Sequence, residues 1–236
     1  ISDCLVGSEM CIRDRLKKNN VYSKDMEHDA CGVGLVASTE GKKSRAVVDY
    51  GIQALKAVWH RGAVDADGKT GDGAGIHLEI PKDFFIEKIE ITGHKFDNSE
   101  ICVGMIFLPR NNFDAQETCR TIVESELTKS NFSIYGWRQV PVNPKVLGEK
   151  ADRTRPEIAQ VLFKHNIKEL SGKNLERKLY ETRRKIENEA IKKSLSGFYI
   201  CSLSSKSIIY KGMFLAESIS DFYIDLQDER FVSRFA

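Results

Sequence analysis

The 236-residue chain lacks the cysteine pairs that mark most metal sites. Its six cysteines stand at positions 4, 11, 31, 102, 119 and 201, with no Cys-x-x-Cys pair and no histidine at ligand spacing. Zinc and iron-sulfur sites usually show such ligand spacings in the sequence. The sequence therefore predicts no metal or other cofactor site in this chain. It also predicts that Cys102, Cys119 and Cys201, which lie in apolar segments, are core thiols.

Long apolar runs and a strong net charge are missing as well. No span approaches the ~18 apolar residues of a membrane helix, and the N-terminus lacks the apolar core of a secretory signal. The 36 Lys and Arg residues nearly balance the 34 Asp and Glu residues, which leaves a net charge of +2. This balance offers no electrostatic attraction to nucleic acid or to a membrane surface. We therefore expect neither as a partner, and expect the protein in the cytoplasm or the stroma of a plastid.

The periodicity of apolar residues predicts the α+β class with antiparallel sheets. Val48, Ile52, Leu55 and Trp59 share one face of a predicted helix, and Ile76, Leu78 and Ile80 alternate as in a strand. The remaining predictions are strands over 101–108 and 132–140, helices over 113–128, 155–162 and 173–192, and a hairpin-like pair over 198–203 and 206–211.

Cys31 is the candidate nucleophile. It stands in the run EHDACGVG (27–34), where glycines let the backbone turn and let a substrate approach the sulfur. A free thiol is only slightly ionised at neutral pH, so catalysis needs a neighbouring base. The α-amino group of an N-terminal cysteine supplies one, provided that the Ala30–Cys31 bond is cut. The alternative is a buried structural cysteine at the start of a strand, which is the commoner situation.

The predicted first helix leads into His60, Arg61 and a loop over 65–75 with four glycines and three aspartates. His60 and Arg61 suit the negative end of a helix, a structural role that competes with a catalytic one. The loop lacks the glycine spacing of a phosphate-binding loop, and it lacks the terminal glutamate of a calcium loop. A structural loop beside an active site accounts for it better.

Several motifs in fixed order resemble the glutamine amidotransferase domain of glutamate synthase large subunits. They are EHDACGVG (27–34), LKAVWHRGAVDADGKTGDGAGI (55–76), GWRQVPVNP (136–144), TRPEI (154–158), FYICSLSSKSIIYKGM (198–213) and DERF (228–231). The resemblance implies an N-terminal nucleophile hydrolase fold, a four-layer α/β/β/α sandwich with antiparallel sheets, here incomplete at the C-terminus. It also implies release of ammonia from glutamine by a processed N-terminal cysteine.

Carried over residue by residue, the resemblance makes Cys31 the nucleophile and residues 1–30 a propeptide. Residues 1–15 fit neither the family's propeptide nor a targeting peptide, and we interpret them as non-native sequence. Residues 31–236 then form a partial amidotransferase domain. Arg61 and Gly62 match an Arg-Gly pair that lies close to the nucleophile in related amidotransferases, so Arg61 is a candidate support of the substrate site. A helix-end cation that contacts carbonyls is an equally good interpretation of Arg61.

Two motifs of the family do not occur: the His-x-Arg-Phe/Tyr-Ser-Thr motif of the glutamine-binding arginine and the Asn-Gly-Glu motif of the oxyanion hole. We therefore expect this chain alone to be inactive. By the same resemblance, the full-length enzyme uses FMN and a 3Fe-4S cluster in downstream domains. There it reductively aminates 2-oxoglutarate with the ammonia released from glutamine, in some cases with a small reductase subunit.

Two alternatives remain at this stage. The chain could be the amidotransferase domain of a purine or amino-sugar biosynthetic enzyme, although the stretch 136–213 resembles glutamate synthases specifically. It could also be a non-catalytic scaffold domain, in which an unprocessed Cys31 lacks a free amine.

Overall fold

The computed structural model of the chain describes residues 32–59, 62–97, 99–167 and 170–236. All of them belong to one compact unit, Gly32–Ala236. The helices in these ranges include none that is both long enough and apolar enough to cross a membrane.

The described residues alternate between helices and strands along the chain. The strands are β1 (Ala74–Glu79), β2 (Ile101–Leu108), β3 (Phe132–Gln139), β4 (Glu157–His165), β5 (Tyr199–Ser204) and β6 (Ser207–Gly212). The helices are α1 (Arg45–Ala57), α2 (Lys82–Ile91), α3 (Phe113–Lys129), α4 (Glu149–Thr154), α5 (Gly172–Lys192) and α6 (Ile219–Phe222). Short 3₁₀ turns cover Pro144–Val146, Ala216–Ser218 and Ile224–Gln227.

The strands form two antiparallel sheets. The larger has the order β3-β4-β2-β5, and in it Gly104 of β2 lies between Val161 of β4 and Leu203 of β5. The smaller pairs β1 with β6, with Ile76 opposite Tyr210 and Leu78 opposite Ile208. The antiparallel pairing agrees with the class predicted from the sequence.

Side chains that alternate along β2 divide between two apolar clusters, as the period of a strand requires. Val103 and Met105 face the smaller sheet and pack with its Ile76, Leu78, Ile208 and Tyr210. Cys102 and Ile106 face the other way, toward the apolar stripes of α3 and α5. The larger sheet is therefore covered by helices on one face and by the smaller sheet on the other, while α1 packs against β1. This layering confirms the predicted α+β sandwich.

The amphipathic helix predicted over 173–192 is confirmed as α5. Its buried positions are Leu175, Leu179, Thr182, Ile186 and Ala190, which recur at helical spacing. The predicted core cysteines are also confirmed, because Cys102, Cys119 and Cys201 are free and buried.

The helix predicted over 155–162 is wrong, since these residues lead into the strand β4. Pro156 favours a helix start, but it directly precedes a strand that is buried on both faces from Ile158 to Phe163. A strand buried on both faces shows a continuous apolar run, which periodicity alone cannot distinguish from a helix segment. The short helix of this region is α4, which ends at Thr154.

The hairpin predicted over 198–211 is also wrong, because β5 and β6 pair in different sheets. The chain turns a corner at Ser204 and Ser205, where the carboxylate of Glu176 on α5 accepts hydrogen bonds from both hydroxyls and from the Ser205 N–H. A strand that switches sheets in this way links the two layers of a sandwich.

Candidate active site

The described chain begins with Gly32, the residue that follows Cys31, and runs along α1. Gly34 approaches Ala54 of α1, and a Cβ on this glycine would lie 3.5 Å from the Ala54 Cβ. The segment after Cys31 does not form a regular strand. Its pairing up to Ala37 is limited to one isolated bridge, formed by Ala37, and its apolar side chains Val33 and Leu35 are 86% and 77% exposed. The described part of the chain therefore does not bury these two apolar side chains.

The partner of this segment is the chain over 234–236. Val36 and Ala236 exchange two backbone hydrogen bonds of 2.9 and 2.8 Å, and the Ser38 N–H donates to the Arg234 carbonyl at 2.7 Å. This antiparallel pairing fixes the direction of the chain that leads back to Gly32.

An ion-pair cluster holds the 234–236 segment against β1. The buried Glu79 carboxylate accepts hydrogen bonds from the Arg234 backbone N–H at 2.7 Å and from its guanidinium. Burial alone would raise the pKa of Glu79, but the hydrogen bonds from Arg234 outweigh it and leave the pKa below its usual range. Beside it, the ring of His77 meets Phe235 edge-on, and loss of hydration lowers the pKa of His77 although part of the ring is open to solvent.

Cys31, His60 and Arg61 lie outside the described residues, so the nucleophile and its support stay predictions. Their sequence neighbours are described. The helix α1 ends at Ala57, two residues earlier than its apolar pattern predicts, and Trp59 is 64% exposed rather than packed. The Gly62 N–H donates to the Trp59 carbonyl at 3.0 Å, so these two described residues lie close together.

The glycine-rich loop after Gly62 folds back on itself. Val64 and Gly71 form an antiparallel bridge, and the Asp65 N–H donates to the Thr70 carbonyl at 2.9 Å. Gly68 has a φ of +69°, a left-handed conformation that favours glycine. Hydrogen bonds within the loop therefore hold its conformation, which agrees with the interpretation of a structural loop.

The Asp67 carboxylate organises the centre of the loop. Its oxygens accept hydrogen bonds from the Lys69 N–H at 2.9 Å, the Thr70 N–H at 2.7 Å and the Thr70 hydroxyl at 2.6 Å. These bonds, led by that of the hydroxyl, lower the pKa of Asp67 to about 2, and the N–H of Glu149 adds to the shift. A carboxylate with this many protein donors has little capacity left for a cation.

The loop is fastened to two neighbouring elements. Gly148, just before α4, faces Asp67 and Thr70 so closely that a Cβ at this position would overlap both side chains. Lys150 of α4 donates to Asp65 at 2.7 Å and lowers the pKa of that carboxyl. On the other side, a Cβ on Gly71 would lie 2.6 Å from the carbonyl oxygen of Phe214.

The other cysteines in the described part of the chain are poor nucleophiles. Burial raises the pKa of Cys102 far above its ordinary value, raises that of Cys201 to about 11, and also raises that of Cys119. Thiolates are the reactive form, so these sulfurs stay inert at neutral pH.

Among the described residues, no group of three or more His, Cys, Asp or Glu side chains could hold a metal ion. These residues therefore do not fit the iron-sulfur cluster that the resemblance assigns to a full-length enzyme.

Comparison with known proteins decides the family. The family model for class-II glutamine amidotransferases matches residues 31–236. The chain belongs to this family. The amidotransferase match begins at Cys31 and covers every residue described above.

Three glutamate synthases illustrate the similarity of this class-II amidotransferase chain to known proteins. The NADPH glutamate synthase large chain of Azospirillum brasilense is 56% identical over 92% of this chain and 14% of its own length. The chloroplastic ferredoxin-dependent enzyme of Spinacia oleracea is 41% identical over 89% and 13%. The NADPH glutamate synthase large chain of Bacillus subtilis is 36% identical over 93% and 14%. The amidotransferase chain thus spans about one seventh of these relatives, and the predicted resemblance to glutamate synthases is confirmed.

Sequence reasoning missed the residues that hold this amidotransferase loop in place. The composition of the loop indicated irregular structure, but nothing in the sequence linked Asp67 to Gly148, which is 81 positions further along the chain. An aspartate followed by glycine does indicate local side-chain to backbone bonds, and that signal could have identified Asp67.

Proposed function

We propose that the chain is the glutaminase part of a glutamate synthase and that Cys31 is its nucleophile. The observation that carries the proposal is the family match, which starts at this cysteine, together with relatives that are named glutamate synthases over about 90% of the chain. The burial and raised pKa of Cys102 and Cys201 support it, because they leave Cys31 as the better candidate thiol.

The proposed chemistry begins with removal of residues 1–30, which frees the α-amine of Cys31. That amine takes the thiol proton, and the thiolate attacks the side-chain amide carbon of glutamine. Collapse of the tetrahedral intermediate releases ammonia and leaves a thioester on Cys31. Water then hydrolyses the thioester to glutamate and regenerates the thiol. Arg61, in this proposal, supports the substrate site by holding neighbouring loops with its guanidinium.

The partners proposed by the same reasoning are glutamine and the downstream synthase domains of a longer polypeptide. Those domains would use FMN and a 3Fe-4S cluster to reduce 2-oxoglutarate and ammonia to glutamate, and a small reductase subunit would deliver electrons in an NADPH-dependent form. The cytoplasm or the plastid stroma suits such an enzyme. The relatives do not favour an amidotransferase of purine or amino-sugar synthesis.

The test is Cys31→Ser in the full-length glutamate synthase that we propose contains this chain. Glutamine-dependent glutamate formation should disappear, because a hydroxyl ionises far less readily than a thiol. Synthesis from added ammonia should continue, since it needs only the synthase domains. Equal loss of both activities would assign Cys31 a folding role, and surviving glutaminase activity would remove it from catalysis.

Maturation gives a second, independent readout. N-terminal sequencing of the active enzyme should begin Cys-Gly-Val-Gly, and the intact mass should lack residues 1–30. An active enzyme that keeps these residues would overturn the proposed role of the α-amine. A purified protein that keeps them and releases no ammonia would instead support the scaffold alternative.

A further inference from the structure

We infer that Asp72 is a site of spontaneous isoaspartate formation in the folded chain, and that Asp67, in the same loop, is protected from this modification. Both aspartates are followed by glycine, and the sequence contains no other Asp-Gly pair and no Asn-Gly pair. Glycine favours the reaction because it has no side chain that would hinder attack by its nitrogen on the preceding residue. The modification needs no catalytic residue and does not depend on the proposed glutaminase function.

The chemistry uses only the chain and water. The Gly73 nitrogen attacks the side-chain carboxyl carbon of Asp72, and the new C–N bond closes a succinimide ring. The carboxyl hydroxyl and the amide proton leave as water. Water then opens the ring at either carbonyl. Opening at the side-chain carbonyl restores aspartate, whereas opening at the backbone carbonyl leaves isoaspartate, in which the main chain runs through the side-chain carbon.

The Asp72 side chain is free to enter this reaction. It is exposed, and its carboxylate accepts no hydrogen bond and forms no ion pair within the ranges that the structure describes. A Cβ on Gly62 would lie 3.3 Å from Oδ1 of Asp72, but Gly62 has no side chain to hold this oxygen, and its N–H is donated to the Trp59 carbonyl. Gly73 is also exposed, and its N–H has no backbone acceptor in the same described ranges. Both reacting groups are therefore available.

Asp67 is held away from the same reaction. Its oxygens accept hydrogen bonds from the N–H groups of Lys69 and Thr70 and from the Thr70 hydroxyl. Ring closure would have to break these bonds, and the attacking Gly68 N–H is itself donated to the Asp65 carbonyl at 2.9 Å. The reactive form is the neutral acid, because a hydroxyl must leave. A pKa of about 2 in place of 3.8 reduces this form of Asp67 by more than about tenfold.

Isoaspartate at position 72 should destabilise the fold, because it adds one methylene to the backbone between two fixed segments. On one side, Gly71 packs so closely on Phe214 that a Cβ would lie 2.6 Å from the Phe214 carbonyl oxygen. On the other side, Ala74 begins β1 opposite Gly212 of β6. Neither side can shift freely to accommodate the extra length. The modified chain should therefore unfold at a lower temperature than the unmodified chain.

The experiment is an incubation of the purified full chain in mildly acidic buffer, under conditions in which it stays folded. Peptide mass spectrometry with electron-transfer fragmentation locates isoaspartate, and an isoaspartyl methyltransferase with labelled S-adenosylmethionine measures its amount. In the folded chain we expect at least about tenfold more isoaspartate at Asp72 than at Asp67. In urea the two positions should give comparable amounts, because the hydrogen bonds that protect Asp67 are lost.

Thr70→Val and Asp72→Glu are the matched variants. Thr70→Val removes the 2.6 Å hydroxyl bond to Asp67, so it should raise isoaspartate at Asp67 and leave the amount at Asp72 unchanged. Asp72→Glu should abolish the modification at position 72, because the longer side chain must close a larger ring. The loss of thermal stability during incubation should disappear with it.

Equal amounts at Asp67 and Asp72 in the folded chain would overturn the inference, because the hydrogen bonds of Asp67 would then give no protection. So would isoaspartate that forms at Asp72 only in urea, since the folded chain would then hold this side chain or the Gly73 nitrogen away from the reaction.

Discussion

Arg138 of β3 and Asp225 of the 3₁₀ turn Ile224–Gln227 form an ion pair, which explains one of the sequence motifs. The guanidinium donates to both oxygens of Asp225 at 2.7 and 2.5 Å, and both side chains are largely buried. The fully buried Gln160 accepts a hydrogen bond from Arg138 at 2.7 Å and donates to the Tyr210 hydroxyl at 3.2 Å. The Tyr210 hydroxyl in turn donates to Asp225 at 3.1 Å, which closes the network. Arg138 belongs to GWRQVPVNP, so this motif has a structural role.

The network predicts a large effect for Asp225→Asn. Removal of the negative charge leaves the Arg138 guanidinium without a counter-charge in the core, and breaking a buried pair in this way typically costs about 3–5 kcal/mol. We expect the free energy of unfolding of the chain, measured by urea denaturation, to fall by about this amount.

Asp152→Asn provides the comparison at the surface. Asp152 pairs with Arg110 and Arg155 at 3.2 and 2.9 Å, but its side chain is 40% exposed. Solvent screens such pairs, so the loss should stay below about 1 kcal/mol. Similar losses for the two variants would contradict the view that the Arg138 network is energetically distinct from surface ion pairs.

At the scale of elements, the sequence predicted α5 from its helical period and β2 from its continuous apolar run, but it misassigned β4. The strand over 101–108 and the helix over 173–192 match β2 and α5 to within a residue. The strand β4 was missed because its burial on both faces removes the alternation of a strand, and Pro156 then favoured a helix start. The corner between β5 and β6 could not be predicted, because it depends on Glu176, which lies far away in the sequence.

The start of α3 shows the same limit at a single position. The neighbouring Asp114 also suits a helix start, but the N-cap is Asn112, whose side chain accepts a hydrogen bond from the Ala115 N–H at 3.0 Å. Asparagine and aspartate are both favoured at helix starts, so composition alone cannot choose between neighbouring candidates.

This cap predicts a difference between two helix starts. Asn112→Ala should lower the free energy of unfolding by about 1 kcal/mol, because it leaves an N–H of the first turn without its acceptor. Ser171 precedes α5 but makes no side-chain cap bond, so Ser171→Ala should cost clearly less. Thermal unfolding of both variants by circular dichroism measures the difference, and an equal loss would count against the capping role of Asn112.

At the scale of the whole molecule, motif order predicted the family, whereas the tertiary contacts around the site could not be predicted. Cys31 and Arg61 were identified from chemistry and resemblance, and both remain proposals. The contact of Asp67 with Gly148 and the pairing of 36–38 with 234–236 join residues that are distant in sequence. Local patterns carry no information about such pairs.

Several carboxylates spread over the surface make the stability of the molecule dependent on pH. Hydrogen bonds from Arg230 lower the pKa of Asp228 to about 2, and those from Thr70 and Lys69 do the same for Asp67. His77 is shifted by a different cause. Partial burial removes water from the charged ring and so lowers the pKa of His77.

Both shifts predict a loss of stability as the pH falls. A carboxyl with a depressed folded-state pKa stabilises the fold above its unfolded pKa of about 3.8, and this contribution disappears as the pH drops toward 2. His77 takes up a proton more readily in the unfolded chain. Its contribution to stability is therefore fully present above about pH 6.5 and is lost as the pH falls below that value. The urea concentration at the unfolding midpoint should therefore decrease slightly between pH 7.5 and 5.5, where His77 titrates. It should decrease steeply between pH 4 and 2.5, where the carboxylates titrate. His77→Gln should remove the first decrease and Asp228→Asn should reduce the second. A stability that stays level or rises between pH 4 and 2.5 would mean that these carboxylates are not held by their partners in solution.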